Sequence, residues 1–226
     1  GQTELHPPVL QPDPCYVQTE TGRDIEASIL EARTFVLVSG PSGSGKTFPI
    51  ENELRKAGRR YVKVSCADGV SRGELVGRME AANGATRWVD GAAVRCARHG
   101  YALVLDEIGK LDSLVLASVQ ALLDRNPSIV TPWGEHVQPA PGFQVFATCN
   151  ALTDETGLYV EQAMSADLPN RAAGALILAD YLTSTEEEAI LVQSVPALSS
   201  RGAQGIVADL GALRTLYRSG QLQAAP

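Results

Sequence analysis

At 226 residues, 44% of them apolar and 20% charged, the chain has the balance of a globular protein that can bury one sizeable core. Its net charge of −7, from 19 basic and 26 acidic residues, argues against non-specific binding to nucleic acid or anionic membrane. The 4 cysteines form no CxxC pair and the 3 histidines have no ligand-like spacing, which predicts reduced thiols in a cytoplasmic protein and argues against a zinc site.

No apolar run approaches the ~18 residues of a membrane span, and the N-terminus lacks the layout of a signal peptide. Residues 1–20 are proline-rich and aperiodic, and read as an extended lead-in. Residues 24–33, "DIEASILEAR", follow as a short amphipathic helix with Ile25, Ile29 and Leu30 on one face. Strand-like and helical runs then alternate. "TFVLVS" (34–39), "YVKVSC" (61–66), "YALVLD" (101–106), "FQVFATC" (143–149) and "ALILA" (175–179) are apolar runs of the kind buried on both faces of a parallel sheet. The best helix between them is 112–125, capped by Asp112 or Ser113, with Val115, Val119, Leu122 and Leu123 on one side. Two inserts interrupt the alternation: 77–91, a hairpin turning at Asn83-Gly84, and 126–142, hairpin-like around Gly134. After the fifth strand, Thr183–Glu186 or Ser184–Glu187 opens a helix as a capping box, and Gly220 is a plausible stop for the next. The pattern predicts an α/β fold with a five-stranded parallel sheet flanked by helices over residues 1–182. A helical segment occupies 183–226.

The chemistry is concentrated at strand ends. "GPSGSGKT" (Gly40, Pro41, Ser42, Gly43, Ser44, Gly45, Lys46, Thr47) follows the first strand and opens a helix. Its glycines let backbone N–H groups turn inward on a polyanion, Lys46 adds a cation for the β- and γ-phosphates, and Thr47 offers a hydroxyl to Mg²⁺. Pro49 sits in the first helical turn, where a missing N–H costs little. The third strand ends in Asp106-Glu107: the first to hold Mg²⁺, the second to act as general base on water. Asn150, at the tip of the fourth strand, is placed to orient that water. Arg171 precedes the fifth strand, either as an ordinary helix-end cation or as a finger reaching a neighbouring subunit's phosphate. Together these predict ATP hydrolysis. A small-molecule kinase would need an arginine-rich lid, which is missing between the third and fourth strands. A GTPase would need a guanine-reading motif, and "GKLD" (109–112) is a poor one. An ATP-driven nucleic-acid motor or a restriction-type NTPase subunit is the remaining alternative, and the acidic balance weighs against it.

In this order the motifs resemble the AAA+ ATPases, in detail their MoxR-like branch, and within it the ATPase subunit of aerobic cobaltochelatase. "ELVGRMEAANGATRWVDGAAVRCARHGYALVLDEI", "PGFQVFATCNALTDETGLYVEQAMSADLPNR" and "LTSTEEEAIL" carry the likeness, over about residues 14–222. It implies that Lys46 and Thr47 are Walker A, Asp106 and Glu107 Walker B, Asn150 sensor 1 and Arg171 the arginine finger acting in trans. It further implies a homo-oligomeric ring, expected as a hexamer, and remodelling of a protein partner, with a von Willebrand A-like subunit as the expected type. The two inserts would face the central pore or that partner, making Arg87 and Trp88 candidate contacts; packing of Trp88 on the core is the competing reading. Two departures stand out. "NR" replaces the common "DR" before the fifth strand. The sensor 2 arginine of the helical lid does not appear before Pro226, with Arg214 and Arg218 preceding its place, so the lid reads as truncated.

Overall fold

The computed structural model describes residues 6–66, 69–82, 84–150, 175–219 and 221. Helix α1 (Glu20–Leu30) starts four residues before the sequence expectation, because the Thr19 hydroxyl accepts from the Gly22 N–H and caps it there. It also ends earlier, at a left-handed Ala32 (φ 52°). Strand β1 (Phe35–Gly40) leads into α2 (Thr47–Lys56), and β2 (Tyr61–Ser65) follows. A short helix α3 (Arg72–Leu75) precedes the hairpin of β3 (Gly77–Ala82) and β4 (Ala85–Asp90). Helix α4 (Ala92–His99), strand β5 (Ala102–Asp106) and helix α5 (Ser113–Val119) come next. Strands β6 (Ile129–Val130) and β7 (His136–Val137) form a second, smaller hairpin, and β8 (Gln144–Asn150) and β9 (Leu176–Leu178) complete the strands. Helices α6 (Ser184–Ser194) and α7 (Ser200–Arg218) close the described chain.

The five expected strands pair in the order β2-β5-β8-β1-β9, with every pairing parallel. A strand points alternate side chains to opposite faces, and here both faces are apolar. Leu37, Leu103, Leu105, Val145 and Ala147 join α4 and α5 in one core, through Val94, Ala97, Val115 and Val119. Val36, Val38, Val104, Phe146 and Ile177 pack on the other face against Ile25 and Ile29 of α1 and Ile50 and Leu54 of α2. Burial on both faces is why the central strands β5, β8 and β1 read as continuous apolar runs rather than alternating ones, while the edge strands β2 and β9 are only partly buried.

The expected 112–125 helix is two pieces. Asp112 caps α5 through the Leu114 N–H, and after Val119 the chain tightens into a 3₁₀ turn, Gln120–Leu123. The tighter turn still buries Leu122 and Leu123, so the predicted apolar face survives the change of helix type. Both hairpins form. The first turns at Gly84 (φ 75°) beside Asn83, which lies outside the described residues; the second turns at Gly134 (φ 85°). The Thr183–Glu186 capping box starts α6, which packs on α7. Gly220 lies outside the described residues. No described helix is long and apolar enough to cross a membrane.

Candidate functional site at the strand tips

The loop between β1 and α2 takes its shape from three glycines that act differently. Gly43 (φ 78°) and Gly45 (φ 73°) occupy the left-handed region that side chains disfavour. Gly40 is required for space instead: a Cβ there would lie 2.2 Å from the Ala179 carbonyl oxygen as the chain leaves β9. Lys46, only 8% exposed, curls back under the loop and donates to the carbonyls of Gly40 (3.0 Å) and Pro41 (2.7 Å) and to Asn150 Oδ1 (3.0 Å). Residues 104 positions apart in sequence thus meet because β1 and β8 are sheet neighbours in register, Gly40 opposite Asn150.

Beside this lies a second set of contacts. Asp106 Oδ1 accepts from the hydroxyls of Thr47 (2.5 Å) and Thr148 (2.7 Å). The Thr148 oxygen in turn accepts from the Glu107 N–H (2.9 Å). Glu107 itself is left-handed (φ 58°, ψ 50°), one of two such non-glycine residues among those described. Strain of this kind clusters at functional sites, where surrounding structure holds it in place. Of the Glu107 carboxylate, Oε1 lies 3.4 Å from Asn150 Nδ2, and Oε2 accepts from Lys110 Nζ at 2.9 Å. The adjoining carboxylates also act on Cys66: burial first, then the charges of Asp106 and Glu107, push its thiol up to about 12.

A cavity of about 170 Å³ opens beside the loop at Ser44 and Gly45. The lead-in segment supplies one wall with Cys15 and Tyr16, α2 supplies Phe48, and Leu182 and Ile190 close it from α6 and its approach. The buried Asn52 side chain pins this wall, accepting from the Asp13 N–H and donating to the Phe48 carbonyl. The Tyr16 and Phe48 rings meet edge to face. Burial first, then Glu53, raises the Tyr16 hydroxyl well above the usual phenol range, so it stays neutral. Tyr181 links the loop to the C-terminal helices. Its hydroxyl donates to the Ser42 carbonyl at 3.2 Å, and the Arg214 guanidinium lies 4.5 Å over its ring while pairing with Glu187 at 2.6 Å.

The structure therefore brings Lys46, Thr47, Asp106, Glu107 and Asn150 into one set of contacts. Arg171, the remaining predicted site residue, lies outside the described residues. Thr148 was missed from sequence, although its place two residues before Asn150 puts both on one face of β8. Tyr16 and Tyr181 carried no such signal. Trp88 is half-buried, and it packs neither on the sheet core nor alone: it meets Trp133 of the second hairpin edge to face, ring centres 3.8 Å apart.

The model of the AAA domain (dynein-related subfamily) matches residues 35–171, more than half of the chain and the stretch that contains Lys46, Thr47, Asp106, Glu107, Thr148 and Asn150. The chain belongs to this AAA family. Protein NorQ of Paracoccus denitrificans is 34% identical over 116 residues, which is 51% of this chain and 43% of NorQ. The denitrification regulatory protein NirQ of Stutzerimonas stutzeri is 29% identical over 184 residues, covering 80% of this chain and 64% of NirQ. Midasin of Dictyostelium discoideum is 33% identical over 117 residues, only 2% of its length. The chain thus spans less than two thirds of each of these relatives. Among solved structures, NtrX from Brucella abortus in complex with ADP superposes with a TM-score of 0.53 at 16% identity, over 86% of this chain and 48% of NtrX. This likeness shows the AAA+ P-loop fold.

Proposed function

We propose that this AAA domain hydrolyses ATP at the boundary between subunits of a homo-oligomeric ring, expected as a hexamer, and uses the cycle to remodel a protein partner. The single observation that carries the reading is the convergence of Lys46, Thr47, Asp106, Glu107 and Asn150 on one loop, from three different strand ends. Gly40, Pro41, Ser42, Gly43, Ser44 and Gly45 cradle the phosphates with their backbone, and the apolar cavity between the lead-in segment and α6 accepts the nucleoside. The NtrX structures, solved with ADP and with ATP, agree with this choice of ligand.

The donor set beside the loop suits Mg²⁺: a hydroxyl and one carboxylate, both hard oxygen ligands. Thr47 and Asp106 would hold the ion, which neutralises phosphate charge when bound. The protein's own groups do the rest. Lys46 leaves the Gly40 and Pro41 carbonyls to meet the phosphates. Glu107 takes the proton of the attacking water, and Asn150 Nδ2 orients that water beside the carboxylate. Arg171 acts from the neighbouring subunit on the terminal phosphate.

On this reading residues 1–182 form the nucleotide-binding core and 183–226 begin a helical lid, joined to the loop through Tyr181. The hairpins of 77–91 and 126–142, with Arg87 and Trp88, face the partner, for which a von Willebrand A-like subunit of chelatase type remains our candidate.

Glu107→Gln tests the chemistry. It keeps the size of the side chain and removes the base, so ATP binding is retained while phosphate release falls at least about 100-fold. Turnover that survives the substitution overturns the assignment.

A further inference from the structure

We infer that Lys110 is a positioning residue for the hydrolytic step: it holds the Glu107 carboxylate by one oxygen so that the other faces Asn150. The inference rests on the proposal that Glu107 is the general base.

The contact follows from the local fold. After the left-handed Glu107, the chain enters a 3₁₀ turn over Ile108–Lys110, closed by the Lys110 N–H donating to the Glu107 carbonyl at 2.9 Å. The tight turn brings residue 110 back beside residue 107. Lys110 Nζ reaches Glu107 Oε2 at 2.9 Å, while Oε1 lies 3.4 Å from Asn150 Nδ2. The turn is anchored from below: Ile108 is fully buried, and Leu111 is 4% exposed and donates its N–H to the Ile108 carbonyl. Thr148 fixes the Glu107 backbone from the other side. The backbone of Glu107 is thus held by two hydrogen bonds, at its N–H and its carbonyl, yet its side chain is a third exposed. Lys110 supplies the remaining restraint on that side chain.

An exposed ion pair contributes little to stability. Lys110 is itself 41% exposed, so its truncation leaves folding intact. Its effect lies in geometry, where small misplacements of a reacting group carry large rate penalties. Lys110→Ala is therefore expected to lower kcat about tenfold, a fraction of the roughly 10²–10⁴ a positioned base supplies. KM for ATP and the affinity for a fluorescent ATP analogue stay at the wild-type values. Lys110→Arg keeps a cation over Glu107 and restores most of the rate. In the Glu107→Gln background, Lys110→Ala has no further effect.

A kcat for Lys110→Ala equal to or above wild type overturns the inference, as does a loss carried by KM or a failure of Lys110→Arg to rescue. Turnover that persists in Glu107→Gln instead overturns the general-base reading beneath it. A second measurement does not depend on turnover. A water-soluble carbodiimide should join Lys110 Nζ to the Glu107 carboxylate as an amide with loss of one water, detectable by mass spectrometry of the peptide that contains both. Absence of that cross-link removes the contact and the inference with it.

Discussion

The strand-tip site and the junction of the two hairpins both join distant stretches of chain, by different means. At the site, short polar side chains sit near the ends of strands buried on both faces (Asp106, Thr148) and at the start of the helix that follows one (Thr47), and the register of β1, β5 and β8 dictates who meets whom. At the hairpin junction, long side chains reach across solvent-facing space. Arg98 of α4 donates from Nε to Asp90 at the end of β4 (2.7 Å) and from both terminal nitrogens to Glu135 in the second hairpin (2.8 and 2.6 Å). The Trp88 indole N–H adds a bond to Asp90 at 2.6 Å, and Trp133 closes the aromatic contact while 48% exposed. The site inherits its precision from the sheet. The junction must make its own, from charge and ring packing, and so should yield to local perturbation without disturbing the core.

Thr148→Val probes the rigid side and carries the largest expected effect. Valine keeps the shape of this 1% exposed residue but removes the oxygen that accepts from Glu107 and donates to Asp106. A buried N–H left without a partner costs about 2 kcal/mol of stability, read as a lower midpoint in denaturant. Because the lost bond also holds the strained Glu107 backbone, phosphate release should fall further than stability alone explains. Equal turnover in the two proteins would mean that the strand register by itself is enough to set Glu107.

The same contrast decides how much was legible in the sequence. Apolar runs have a plain signature, in the central strands β1, β5 and β8 because both faces are buried, so all five sheet strands and the loop, Asp106-Glu107 and Asn150 could be placed from residue types alone. Thr148 was hidden because a threonine in a strand has an ordinary reason to be there, its β-branched shape. The start of α1 was missed because Thr19 precedes the apolar periodicity that marked the helix. The break in α5 was missed because α and 3₁₀ turns both bury Leu122 and Leu123. The junction was the least legible region. Trp88 read either as a core residue or as a partner contact, and nothing local to either insert announced that Trp133 and Glu135 would be its neighbours. Such contacts depend on where α4 sets two separate inserts in space, which no local pattern encodes.

Arg98→Ala probes the adaptable side. It removes the bidentate pair to Glu135 and the bond to Asp90, all partly exposed. The expected cost is about 1 kcal/mol, well below that of Thr148→Val despite the larger number of bonds lost, because solvent screens them. Trp88 and Trp133 are the only tryptophans in the chain, so intrinsic fluorescence reports this junction directly. The emission should shift towards that of exposed indole, while basal phosphate release stays near wild type. A parallel loss of turnover would show that the hairpins and the strand-tip site are mechanically joined.

Acidification applies the mildest version of the same test without a mutation. The hydrogen bonds from Arg98 hold the Glu135 carboxyl below its ordinary range; desolvation opposes them, and the Arg98 charge and a hydrogen bond from Trp133 add to them. A carboxylate with a depressed folded-state value contributes its stabilisation above the unfolded-state value and loses it as pH falls through the depressed one. The tryptophan emission should therefore stay flat from neutral pH down through the usual glutamate range, about 4.3, and change only below it. Arg98→Ala should move the step up towards the ordinary glutamate range, since the largest influence holding the Glu135 carboxyl down is gone. A wild-type step near the ordinary glutamate value would mean that the Arg98–Glu135 pair is too weak in solution to bind the two inserts together, and that the Trp88–Trp133 contact carries more of the tie between them.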